Sequence, residues 1–212
     1  MQDKKRVSVL KRILAFILGL FMIQVGVALF LKVNIGSDPF TVFTQGLSKV
    51  LHITPGMANR IITIILLVLV LFLDRQQIKL GSIVAVLCAG TFLDGALFVL
   101  TPLFSIAFPM PMKLFLFLLG SLLVGIGFPL LKSADFGVAP NDSAYFVIVD
   151  RLEKPYGIIR MGVDSLYMVV GFLFGGVIGI GTVFCILLIG PIIQFFLTHL
   201  QPYFDRYYGI TT

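Results

Sequence analysis

The 212-residue chain contains no tryptophan, two cysteines and two histidines, and only 12% of its residues are charged. Because a soluble domain carries about 25% charged residues, this composition excludes a soluble globular fold. Cys88 and Cys185 lie in apolar segments without CxxC spacing or a neighbouring histidine, which argues against a disulfide or a metal site. GxSxG, HExxH and glycine-rich phosphate-loop motifs are also absent, so we expect neither an enzyme nor a cofactor.

Long apolar runs dominate the sequence, since hydrophobic residues make up 58% of the chain. A membrane-spanning helix needs about 20 apolar residues. The runs predict an all-α polytopic membrane protein with six transmembrane helices, at about 13–31, 55–73, 80–100, 114–131, 157–174 and 180–200. The second of them must begin near Pro55 because its uncharged run is short, and it therefore carries Asn59 and Arg60 at membrane depth.

The distribution of basic residues predicts the orientation. With the N-terminus inside, twelve of the 16 Lys and Arg residues fall on the cytoplasmic side, as expected for short cytoplasmic loops. The clusters at 4–6 and 11–12 directly precede an apolar run, so they are a topology signal, and we expect no nucleic-acid partner. Both termini are predicted to be cytoplasmic.

The second half of the chain repeats the first at an offset of 101 residues. Gly19, Gly26, Gly36, Pro39 and Gly56 superimpose in this way on Gly120, Gly127, Gly137, Pro140 and Gly157. Each repeat contains three predicted crossings, an odd number, so the second copy enters the membrane from the opposite side. The resulting 3+3 inverted repeat is typical of secondary transporters with a site near the bilayer midplane.

Five segments follow from this arrangement. They are a basic cytoplasmic N-terminus (1–12), the first three-helix repeat (13–101), an extracytoplasmic linker (102–112), the inverted second repeat (113–200) and a cytoplasmic C-terminal tail (201–212).

Each repeat interrupts its chain after the first helix with a similar break, formed by Gly36 and Pro39 in one half and by Gly137 and Pro140 in the other. Asp38 before Pro39 is typical of an N-cap, because the carboxylate accepts free backbone donors and proline has none to lose. We predict two broken or re-entrant half-helices. The first starts at Pro39 and runs to about 51, and the second runs from about 141 to 152. Their N-termini, each with about half a positive charge, would point inward and favour a polar or anionic ligand.

Polar side chains at membrane depth or at the breaks are candidates for a substrate or ion pathway. Asp164 lies inside the fifth span, four residues after Arg160, so the two can pair on one helix face. Asp94 and its repeat equivalent Gln194 can form a midplane pair whose protonation couples to transport. The full candidate set is Gln24, Asn34, Asp38, Asp94, Asp135, Asp142, Arg160, Asp164 and Gln194.

Plainer explanations of these residues stay open. The Arg160 and Asp164 pair can serve packing alone, Asp94 can reach water from the outer end of its helix, and Gln24 can simply bond to a neighbouring helix. Capping by itself also accounts for polar residues at the breaks.

Several of these motifs occur together in a known family. The segments Asn34-Ile35-Gly36-Ser37-Asp38-Pro39-Phe40, Gln45-Gly46-Leu47-Ser48, Thr54-Pro55-Gly56 and Gly137-Val138-Ala139-Pro140 resemble the YczE/YyaS/YitT family of bacterial integral membrane proteins. The resemblance covers nearly the whole chain. It implies a bacterial inner-membrane protein, often regarded as a transporter, and it implies no substrate.

These expectations combine into a small inverted-repeat transporter or exporter of a polar or anionic small molecule. Proton coupling through Asp94 or Asp164 is a hypothesis. The expected partners are membrane lipid and a small-molecule substrate, while protons and a homodimer stay open. One alternative is a substrate-binding subunit of a larger energised importer, for which Ala15 and Gly19 offer a docking face; another is a non-transporting membrane accessory protein without a polar cavity between the halves.

Overall fold

The computed structural model describes residues 2–75, 78–104, 108–137, 139–154 and 156–208, and this part of the chain is helical without strands. The all-α prediction is confirmed. The α-helices are α1 (Gln2–Val33), α2 (Pro39–Leu51), α3 (Pro55–Leu73), α4 (Leu80–Leu100), α5 (Met110–Lys132), α6 (Pro140–Leu152), α7 (Tyr156–Leu173), α8 (Ile180–Phe184) and α9 (Gly190–Tyr208). Some side chains within these helices, among them those of Arg160 and Gln194, lie outside the described residues.

In the described part, four helical segments are long and apolar enough to cross a membrane. They are Val9–Val33, Pro55–Leu73, Leu80–Phe104 and Met110–Lys132, and they correspond to the first four predicted spans. The fifth predicted span lies in α7, where Gly162–Leu173 forms a shorter apolar helix. The sixth is not one regular helix, because a π-helical segment, Cys185–Ile189, separates α8 from α9. Pro191 lacks a backbone N–H, so the regular ladder cannot continue through it. Six spans therefore stay a prediction.

The two helix breaks have the same backbone geometry. Gly36 and Gly137 have φ angles of 111° and 106°. The residues two positions before them, Asn34 and Asp135, are left-handed, with φ angles of 57° and 54°. The two short helices that follow, α2 and α6, both begin at a proline and both have 13 residues. The sequence repeat is therefore also a repeat of local structure at these breaks.

Glycines bring α1 and α5 into backbone contact. A Cβ atom on Gly19 would lie 2.7 Å from the carbonyl oxygen of Gly127, and a Cβ on Gly26 would lie 2.6 Å from that of Gly120. Because the earlier glycine of α1 meets the later one of α5, the two helices run antiparallel. Since Gly19 and Gly26 are the repeat equivalents of Gly120 and Gly127, each of these two contacts is the counterpart of the other.

The break segments are tied down by matching hydrogen bonds. The amide of Gly181, in α8, donates to the carbonyl of Ile35 at 2.8 Å, and the amide of Gly81, in α4, donates to the carbonyl of Phe136 at 2.8 Å. Each break thus contacts the first turn of a helix from the other repeat. These two hydrogen bonds between the repeats hold the starts of α2 and α6 in place.

The docking face predicted for a partner is used inside the chain. Ala15 is buried with Leu130 and Leu131 in one core cluster, and Gly19 lies against Gly127. Small residues permit close approach of apolar helices, and here that approach joins α1 to α5. The prediction that Ala15 and Gly19 form a docking face for a partner is therefore wrong, because both residues pack against α5 of the same chain.

Candidate functional site

The N-terminal ends of α2 and α6 line one cavity of about 180 Å³. Pro39 and Pro140, the first residues of the two short helices, both belong to its wall, and Gln24 of α1 and Val124 of α5 face it where those helices cross. The volume corresponds to about six water molecules at about 30 Å³ each. The two breaks, 101 residues apart in sequence, therefore meet at one small cavity.

Asp38 caps α2 at the cavity wall. Its Oδ1 atom accepts a hydrogen bond of 3.0 Å from the backbone N–H of Thr41, and its own backbone is extended. The predicted cap is confirmed. Because Asp38 and Thr41 both line the cavity, the carboxylate serves the helix end and faces the cavity as well.

Two further carboxylates reach the same cavity from other helices. Asp142 lies in the first turn of α6, and Asp164 lies on α7. The hydroxyl of Tyr145, a residue that is 3% exposed, donates to Oδ1 of Asp164 at 2.6 Å. Such a short distance is typical of a hydroxyl bonded to a charged carboxylate. Asp38, Asp142 and Asp164 thus place three acidic groups around one space.

Gln24 presents an acceptor that the described residues leave unused. The residue lies mid-way along α1, is 7% exposed and lines the cavity. Its Oε1 atom is buried without a hydrogen-bond partner in the described part of the chain. Leaving a buried acceptor unsatisfied costs about 1–3 kcal/mol, so such an atom requires an explanation. A hydrogen-bond donor on a ligand in the cavity would satisfy this acceptor.

Aromatic rings form much of the remaining wall. Phe30, Phe40 and Phe128 all line the cavity. Phe40 also makes an edge contact with the ring of Tyr167, at 5.5 Å between centroids, and Tyr167 stacks on Phe43 at 5.3 Å. These contacts fix the position of α2 against α7 beside the cavity.

Sequence reasoning missed several polar lining residues. Asn59 and Thr63 of α3 are 8% and 4% exposed and line the cavity, and the hydroxyl of Thr63 donates to the carbonyl of Asn59 at 2.8 Å. Thr41 and Tyr145 are two more. The signal for Asn59 was available, because the short apolar run of the second span already places it at membrane depth.

Three predicted site residues lie elsewhere. Oδ1 of Asp94 accepts from the amide of Gly56 at 2.8 Å and Oδ2 accepts from the hydroxyl of Thr54 at 2.6 Å, so this carboxylate secures the start of α3. Asn34 and Asp135 occupy the left-handed turns. These three are not among the residues that line this cavity, and their place in the pathway stays a prediction. The predictions for the side chains of Arg160 and Gln194 fall outside the described residues.

Replacing Asp94 by alanine is expected to lower the free energy of unfolding by about 1–2 kcal/mol, because the amide of Gly56 and the hydroxyl of Thr54 lose their acceptor. Thermal unfolding in detergent measures this loss. Asp94→Asn keeps an acceptor oxygen and is the matched control, with a smaller loss. A variant that kept its stability but lost solute movement would show that Asp94 belongs to the pathway.

Comparisons with known proteins find a matching family and several relatives. A family described as "Family of unknown function (DUF6198)" matches residues 10–198. The chain is 27% identical over 187 residues to "Uncharacterized protein YyaS" of Bacillus subtilis, covering 88% of this chain and 92% of that protein. It is 28% identical over 190 residues to an "Uncharacterized protein" of Haemophilus influenzae, covering 88% and 84%. It is 26% identical over 178 residues to "Uncharacterized membrane protein YczE" of Bacillus subtilis, covering 84% and 81%. No solved structure matches the chain significantly.

Proposed function

Since the chain belongs to the DUF6198 family and the resemblance to YyaS and YczE is confirmed, we propose that this multi-pass membrane protein is a transporter of a small polar molecule. The observation that carries the proposal is the cavity at which the N-termini of α2 and α6 meet. Polar groups inside a membrane protein are costly and usually mark a substrate or ion pathway. In this proposal the protein is not an enzyme and needs no cofactor.

We propose further that the chain forms a 3+3 inverted repeat, with α7 and the α8 to α9 segment as the remaining spans. The antiparallel contacts of α1 with α5 and the exchanged hydrogen bonds of Gly81 and Gly181 support this arrangement. The excess of basic residues near the N-terminus supports cytoplasmic termini in a bacterial inner membrane. Discontinuous helices that point their N-termini at a midplane site are a common feature of such transporters.

The proposed mechanism is alternating access through the two breaks. In this proposal the contact of Ile35 with Gly181 and the contact of Phe136 with Gly81 separate in turn, one beside each break. The two breaks differ in charge. Asp135, beside one break, pairs with Lys79 at 2.9 Å and with Arg12 at 3.5 Å, whereas the equivalent residue at the other break is the neutral Asn34.

Proton coupling is proposed through the acidic groups of the cavity instead of Asp94, which lies outside it. Among the described residues of the wall, the titratable side chains are Asp38, Asp142, Asp164 and Tyr145. A carboxylate that exchanges a proton for solute must face both, and only lining residues meet that condition. Asp164 therefore keeps the role that the sequence suggested for it.

Two-sided labelling of a cysteine at Thr63 tests the transport proposal without knowledge of the substrate. Thr63 lines the cavity, and Cys88 and Cys185 can be replaced by alanine to leave a single thiol. Alternating access predicts that a small membrane-impermeant methanethiosulfonate reagent modifies Thr63→Cys both in right-side-out and in inside-out vesicles. A closed accessory protein predicts reaction from neither side, and a one-sided binding subunit predicts reaction from one.

The control for this experiment is Leu87→Cys on α4, in the same cysteine-free background. Leu87 is 59% exposed on an apolar helix, so we expect its thiol to face lipid and to resist the reagent. Labelling of both cysteines at equal rates would show that the reagent reacts with thiols inside the membrane without using the cavity. Labelling of Thr63→Cys from a single side would contradict alternating access.

A further inference from the structure

We propose a substrate class for this cavity: a small organic cation with a single positive charge and N–H donors, of the ammonium or guanidinium type. The inference rests on the proposed function, which names only a polar solute. It also reverses the anionic preference that the helix N-termini alone suggest. Three properties of the wall carry it, namely its charge, its hydrogen-bonding groups and its size.

The charge of the wall is negative, because its described residues include no lysine or arginine. Asp38, Asp142 and Asp164 bring three carboxylates. The N-termini of α2 and α6, each worth about half a positive charge, together offset about one of them. The Arg160 and Asp164 pair predicted from their sequence spacing offsets one more. The sum leaves a net charge of about −1 on the described wall, which favours a ligand of charge +1 over a neutral or anionic one.

The wall contains hydrogen-bond acceptors that need a donor from the ligand. Oε1 of Gln24 is buried and unpartnered among the described residues, and it belongs to a side chain that lines the cavity. Carboxylates accept hydrogen bonds and cannot donate them when ionised. An ammonium or guanidinium group carries several N–H donors, so it can satisfy Gln24 and a carboxylate such as Asp38 at the same time. A quaternary ammonium group matches the charge of the wall but lacks these donors.

The size and the aromatic wall set the remaining limits. A cavity of about 180 Å³ is smaller than the pockets of about 300–1,000 Å³ that hold drug-sized ligands. Phe40 and Phe128 present rings to the cavity, and aromatic faces attract cations by electrostatics. The wall therefore suits a metabolite of a few heavy atoms better than a lipid or a peptide.

Equilibrium dialysis of the purified protein in lipid nanodiscs against four labelled probes tests this class. Guanidinium and urea are planar molecules of nearly the same shape that differ in charge, acetate is an anion of similar size, and tetramethylammonium is a cation without N–H groups. We expect guanidinium to bind at least tenfold more tightly than urea, tetramethylammonium to bind less tightly than guanidinium, and acetate to show no saturable binding. Acetate binding equal to or tighter than guanidinium binding, or no guanidinium binding, would overturn the inference.

Asp38→Asn shows whether the carboxylate of this cavity carries the effect. Asparagine is as good an N-cap as aspartate, so the amide of Thr41 keeps its acceptor and the helix start is preserved. We expect guanidinium affinity to fall at least tenfold. Asp150→Asn, which removes an exposed carboxylate outside the cavity, is the matched control and should bind guanidinium like the native protein. Equal binding by the native protein and Asp38→Asn would contradict the assignment.

Failure of this inference can be separated from failure of the transport proposal. If Thr63→Cys reacts from both sides while guanidinium does not bind, transport stands and the cation class is wrong. If guanidinium binds and Asp38→Asn weakens it while Thr63→Cys reacts from one side alone, the site stands and transport is wrong.

Discussion

Replacing Gly26 by leucine is expected to abolish accumulation of folded protein. A Cβ atom at this position would lie 2.6 Å from the carbonyl oxygen of Gly120 and 2.8 Å from Cγ2 of Val124, so even alanine forces α1 away from α5. Overpacking a side chain typically costs about 1–3 kcal/mol, and a clash with backbone cannot be relieved by a change of rotamer. Leucine adds three more carbons. Because α1 and α5 carry the cavity wall, their separation also removes the site. Size-exclusion chromatography of the detergent-extracted protein measures the folded fraction.

Gly95→Leu is the control for this prediction. It introduces the same residue into an apolar helix, but a Cβ atom at Gly95 meets nothing within 4 Å. We expect this variant to elute with a yield close to that of the native protein. If both leucine variants behaved alike, the close contact between α1 and α5 would not hold in the native protein.

Gly36→Ala is expected to destabilise the protein more than the equivalent change Gly137→Ala. Both glycines have φ near 110°, so both substitutions carry about 1–2 kcal/mol of left-handed strain. Their neighbours differ. A Cβ at Gly36 would lie 2.7 Å from the backbone nitrogen of Thr182, whereas a Cβ at Gly137 would meet the side chains of Lys79 and Ser82 at 2.8 and 3.0 Å. The Lys79 contact is with its fixed Cβ atom, but the hydroxyl of Ser82 can rotate away. At Gly36 the close atoms include two backbone nitrogens, those of Thr182 and Gly179, which cannot. We expect Gly36→Ala to lose at least about 1 kcal/mol more.

Thermal unfolding of the two variants in the same detergent measures the difference between them. Since the strain from φ is common to both, the comparison isolates the effect of the neighbouring atoms. Equal unfolding temperatures would mean that the break at Gly36 does not lie against α8. A larger loss for Gly137→Ala would mean the same.

Local chemistry explains which features of the fold could be predicted from the sequence. The start of α2 at Pro39 and the capping role of Asp38 follow from residues that are adjacent in the chain, and the structure has both. The bounds of α3 at Pro55 and of α4 at Leu80 follow from proline and from the limits of apolar runs. The π-helical segment before α9 was not predicted, because the sequence there looks like an ordinary apolar run followed by Pro191.

Membership of the cavity wall could be predicted only in part, because it depends on how each helix is rotated. Four of the predicted pathway residues, Gln24, Asp38, Asp142 and Asp164, line the cavity. Asp94 has apolar neighbours along the chain and was therefore predicted to be a site residue, yet α4 turns its carboxylate toward the amide of Gly56. Thr63 looked like an unremarkable residue of the second span, yet α3 turns it inward. Composition and spacing indicate which residues lie at membrane depth, but they do not indicate how each helix is rotated about its axis.

An experimental density map of the protein in a lipid nanodisc with guanidinium tests the central claim most directly. The account predicts that the starts of α2 and α6, at Pro39 and Pro140, face one enclosed space, with density for the cation between Gln24 and Asp38. Finding the two helix starts at opposite water-facing surfaces, with lipid or packed side chains between them, would contradict it.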